Sequence, residues 1–181
     1  MELRLLSDQN LVATTDHATV AFLAEAKSFS KVVAEVKPAV VIGFETVATR
    51  QSNRDVLVCD WPGEYEKSEV SIISPSQGAY VLSLEGKTWL AIRDQDADSL
   101  DHDAEQLNSV EGIIIWFTNP DFKAAVQKLI DHLEPTHLVY VSGSQLYGAE
   151  LLPPAPAAAS EVVLKSSDWA NTNEQVIAHT L

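Results

Sequence analysis

Val56-Leu57-Val58-Cys59-Asp60-Trp61-Pro62-Gly63-Glu64-Tyr65-Glu66 is the stretch on which the fold reading turns. An apolar run ends abruptly at Asp60, and Trp61-Pro62-Gly63 supplies the residues of a tight turn, so residues 55–59 read as a strand that stops there. Cys59 lies inside the run and reads as a small buried hydrophobe rather than a reactive thiol. It is the chain's only cysteine, which excludes an intramolecular disulfide and a cysteine-based structural zinc site.

On the N-terminal side, apolar pieces separated by polar turns read as strands at 2–6, 10–14 and 18–24. Residues 28–36 have helical periodicity, with Phe29, Val32, Val33 and Val36 on one face. Pro38 ends that helix, and 39–44 reads as a buried strand. On the C-terminal side, 69–74 is a strand, and 79–84 and 87–93 form a hairpin about the two-residue connection Glu85-Gly86. A short helix capped by Asp103 is expected to run through Val110. The almost wholly apolar run 112–117 has the pattern of a strand covered on both faces. Asn119-Pro120 then marks a helix start, with Phe122, Val126, Leu129, Ile130 and Leu133 along one face. Pro135 stops that helix before a strand at 137–141, which implies a parallel crossover. Pro153-Pro154-Ala155-Pro156 belongs to a Pro/Ala-rich loop at 152–160, and strands at 161–165 and 175–179 follow. This pattern predicts one layered α/β (α+β) domain over 1–181.

With 181 residues, 46% hydrophobic and 21% charged, the composition is that of a globular chain with enough apolar surface for a core. No apolar run reaches membrane-spanning length, and Met1-Glu2-Leu3-Arg4 lacks the start of a signal peptide, so a cytoplasmic location is expected. The formal net charge is −14, from 26 acidic and 12 basic residues, and the basic residues are scattered singly. Such a surface repels nucleic acid and anionic membranes; neither is an expected partner, whereas a protein partner or a homo-oligomer is compatible with it.

The 56–66 stretch resembles the strand and "GPGEYE" turn of small bacterial metal-dependent hydrolases in the metallo-β-lactamase superfamily, with Trp61 where that branch usually has glycine. The order of elements over most of residues 1–145 fits as well. The resemblance implies a four-layer αββα sandwich of two mixed β-sheets, and it implies where metal ligands would stand. An H-x-H-x-D-H motif would follow the strand at 39–42, but Phe44, Thr46, Ala48 and Thr49 occupy its four ligand positions. A third histidine would follow Ile73, yet the segment from Ser74 to Gly78 contains none. The last would follow the strand ending at Val141, where Ser142-Gly143-Ser144 stands. Asp94 alone matches, at the bridging-aspartate position. Phenyl, methyl and hydroxyl groups do not replace imidazoles around a hydrolytic cation. The resemblance therefore implies a catalytically degenerate member of this fold, with no catalytic residue, no metal site and no cofactor, acting as a non-enzymatic binding or scaffold protein.

Other chemistry is weighed on single features. The acidic run opening with Asp94, Asp96 and Asp98 and reaching Glu105 has the oxygen-ligand spacing of a calcium loop. Ser99 and Asp101 break that pattern, and a strand precedes it; a solvated loop with acids near a helix N-terminus is the plainer reading. A hydrolase with a relocated site would gather Asp94, Asp96, Asp60 and Glu64 in one cleft. A protein-interaction module would expose Trp61 or Trp169 within an apolar patch. His17, His102, His132, His137 and His179 are dispersed, and no nucleophile elbow or glycine-rich phosphate loop is present.

Overall fold

A computed structural model describes residues 1–47, 55–101, 107, 109–142, 145–148, 162–165 and 179–180. Among these, strands β1 (Glu2–Leu5), β2 (Leu11–Thr14), β3 (Thr19–Leu23), β4 (Val40–Gly43) and β5 (Leu57–Cys59) join β13 (Val162–Lys165) and β14 (His179–Thr180) in one sheet. Its order is β14-β13-β1-β2-β3-β4-β5. The second sheet holds β6 (Gly63–Lys67), β7 (Val70–Ser76), β8 (Ala79–Leu84), β9 (Lys87–Arg93), β10 (Gly112–Trp116), β11 (His137–Ser142) and β12 (Gln145–Gly148). Its order is β12-β11-β10-β9-β8-β7-β6. Both sheets are mixed: β3-β4-β5 and β9-β10-β11 are parallel, and the other pairs are antiparallel.

Alternation within the strands builds three apolar layers. Leu3, Leu11, Val20, Phe22, Val40 and Ile42 of the first sheet meet Ile72, Tyr80, Leu82, Trp89, Ile114 and Trp116 of the second in one buried cluster between the sheets. On the outer face of the first sheet, Val12, Ala21, Leu23 and Val41 pack under Phe29 and Val32 of helix α1 (Phe29–Val36). On the outer face of the second, Leu90, Ile92, Ile113 and Ile115 are covered by Leu100 of α2 (Ala97–Asp101) and by Val126, Leu129 and Ile130 of α3 (Lys123–Leu133). Such layering, helix on sheet on sheet on helix, is the expected αββα sandwich. The central runs of parallel strands are covered on both faces, which explains why β4 and β10 are apolar at nearly every position.

Three local readings are corrected. Residues following the Trp61-Pro62 turn are a strand, β6, at the edge of the second sheet. Glu64 and Glu66 are exposed on it and Tyr65 packs on the inter-sheet cluster, so its alternation is written in charges. Strand β7 continues through Pro75, because the register shifts between Ile73 and Ser76 and a residue in such a bulge needs no ladder N–H. Helix α2 begins at Ala97, within the acidic run, since Ala97 and Leu100 are both buried against the second sheet. Most of the expected Asp103 helix, the Pro/Ala-rich loop at 152–160 and Trp169 lie outside the described residues.

Gly112 opens β10 between Trp89 of β9 and His137 of β11. A Cβ there would sit 2.4 Å from carbons of the Trp89 ring, which itself is buried. Gly112→Ala is expected to cost about 1–3 kcal/mol by overpacking, read as a lower urea midpoint at unchanged slope. No helix among the described residues is long and apolar enough to cross a membrane.

Candidate functional site

The C-terminal ends of the two parallel strand sets meet at one end of the sandwich, and what they deliver there is an aromatic cluster. Phe44, the residue after β4, is 1% exposed. Its ring lies edge-on to Trp116, the last residue of β10, with centroids 4.7 Å apart, and edge-on to Tyr80 of β8 at 5.8 Å. Trp116 also meets Phe22 of β3 at 5.6 Å. The Arg93 guanidinium, at the end of β9, lies over the Phe44 ring with its carbon 5.8 Å from the centroid. The phenyl ring is thus enclosed by residues of the opposite sheet.

Hydrogen bonds fix this packing. The Tyr80 hydroxyl donates to the Gly43 carbonyl at 2.7 Å, joining the two sheets, and the Trp116 indole N–H donates at 2.8 Å to the carbonyl of Gln9, in the turn between β1 and β2. Burial, aided by the negative charge of Asp60, pushes the Tyr80 phenol well above its ordinary range, so it stays a neutral donor. Gly43 is required where the chain turns out of β4: a Cβ would sit 2.8 Å from the Glu45 carbonyl and 3.0 Å from Val47.

The carboxylates divide into separate tasks. Asp94, fully buried, ties the end of β9 to the loop after β10. Its Oδ2 accepts from the amides of Thr118 at 2.6 Å and Asn119 at 2.7 Å; its Oδ1 accepts from the Gln95 amide at 2.8 Å and the Thr118 hydroxyl at 3.0 Å. Asp96 accepts from Arg93 Nε at 2.8 Å and closes over Gly78, where a Cβ would fall 2.2 Å from its Oδ2. Asp60, also fully buried, accepts from the Val47 amide at 2.8 Å and so fixes the turn after β4. Glu64 is exposed on the edge strand. Of the four carboxylates of the relocated-site reading, Asp94, Asp96 and Asp60 thus accept from protein donors, and Glu64 points from the edge strand toward solvent. Among the described residues, no group of three or more histidine, cysteine or acidic side chains could hold a metal ion.

Of the positions at which the resemblance implies ligands, Phe44 is this buried ring, Thr46 is exposed, and the Ser74 hydroxyl donates to the carbonyls of Ser76 and Ala79 across the β7 bulge. Ala48, Thr49, Gly143 and Ser144 lie outside the described residues, as does Glu105 of the calcium-loop pattern. In that pattern Asp94 and Asp96 already have protein partners, and Asp98 is exposed in the first turn of α2. A zinc ion does not fit the donor set at the described positions: the one carboxylate there accepts from amides, and the Phe44 ring offers no lone pair. Sequence reasoning missed the partners that enclose Phe44. Tyr80 and Trp116 carry the signal only of core residues on alternating strands, and Arg93 carries none. Trp61 is 48% exposed at the β5–β6 turn, its carbonyl accepting from the Tyr65 hydroxyl at 2.8 Å.

No protein-family model matches the sequence, and no curated protein matches it. A solved structure resembles it in fold: a metallo-β-lactamase-superfamily protein from Thermotoga maritima, provisionally described as a Zn-dependent hydrolase. The two align with a TM-score of 0.59 over 78% of this chain and 75% of that one, at 13% sequence identity. The chain folds as a metallo-β-lactamase-like sandwich, and at that identity the likeness reaches the fold and not the chemistry.

Proposed function

We propose that this protein is a non-enzymatic binding or scaffold protein built on a metallo-β-lactamase-type sandwich. The observation that carries this reading is Phe44. At the position where the resemblance implies the first metal ligand, its ring is packed between Tyr80 and Trp116 beneath the Arg93 guanidinium. A hydrolytic site needs an open coordination position and room for water beside it. Side chains that fill the space and bond the two sheets together supply neither. Asp94 supports the same reading, since both its oxygens take protein donors.

The purified 181-residue chain tests it. Elemental analysis is expected to find no stoichiometric zinc, manganese or iron. Thermal unfolding is expected at the same temperature with zinc, with manganese and with chelator. A resident ion at a hundred times its dissociation constant would add about 2.7 kcal/mol and so raise the midpoint by several degrees. One or two ions at full occupancy, or a shift of that size, would overturn the proposal.

A further inference from the structure

We draw no further inference here: the strongest candidate, the pocket that Asp16, His17, Glu69 and Glu85 line where the β2–β3, β6–β7 and β8–β9 turns meet, is a cluster of acidic side chains in which Glu69 already contacts His17 and Glu85 the Met1 ammonium, and among the described residues no second feature there points to a ligand.

Discussion

Phe44→Ala should lower stability by about 3–5 kcal/mol, the loss usual for a fully buried phenylalanine, and should lower the thermal midpoint by on the order of 10 °C. The site gives reasons to expect the upper part of that range. The ring makes edge-on contacts with both Tyr80 and Trp116 and lies under Arg93, so its removal opens a cavity bounded by both sheets. Its neighbours are also pinned, Tyr80 by the Gly43 carbonyl and Trp116 by the Gln9 carbonyl, and they cannot collapse into the space without breaking those bonds. Phe44→Leu keeps much of the volume and should cost less than half as much.

Phe44→His discriminates between packing and vestigial chemistry. It restores the residue type implied at this position, but it puts a polar ring where the surroundings are aromatic, and it should be destabilising by about 2 kcal/mol or more. Zinc should not repair it, since Asp94 already faces the Thr118 and Asn119 amides. Urea denaturation with and without zinc measures both effects. A Phe44→Ala variant within about 1 kcal/mol of wild type, or zinc rescue of Phe44→His, would show that the ring does not hold the sheets together as argued.

The extent to which this was legible in the sequence follows from what each residue advertises. Apolar runs such as those at β4 and β10 announce buried strands whatever their surroundings, so the layers and their order were readable, and Cys59 is buried as its neighbours predict. Strand β6 was not, because an edge strand bearing Glu64, Glu66 and Lys67 presents the charges that protect an edge and hides the alternation marked by Tyr65. Helix α2 was not, because aspartates dominate its sequence, and only the burial of Ala97 and Leu100 against the second sheet overrides their weak propensity. At the site, sequence could tell that imidazoles are lacking at the implied positions. It could not tell what takes their place. The cluster is made by Phe22, Phe44, Tyr80, Arg93 and Trp116, which come from five strands or strand ends, and no local pattern connects them.

Asp94 is the residue whose role the resemblance and the structure assign differently, and its variants separate the two. As a metal ligand it would matter only when metal is bound. As a buried clip it matters always: Asp94→Ala removes the acceptor for three backbone amides and a hydroxyl and should cost about 2–4 kcal/mol, a sum kept below the full value of charge-assisted bonds because water can reach the partly exposed Thr118 and Asn119. Asp94→Asn should cost less, about 1–2 kcal/mol, for a geometric reason. Its carbonyl oxygen can take the Oδ2 place and keep both the Thr118 and Asn119 amides. Its NH2 then faces the Thr118 hydroxyl, which can accept, and the Gln95 amide, which cannot. Amide exchange should rise at Thr118 and Asn119 in the alanine variant and much less in the asparagine variant, with the same values in zinc and in chelator. An asparagine variant as damaging as alanine, or a loss that appears only with zinc present, would return Asp94 to the role of a ligand. The equality across metal conditions is the stricter demand, because a side chain that merely packs and one that coordinates can both be costly to remove, but only the second makes that cost depend on an ion.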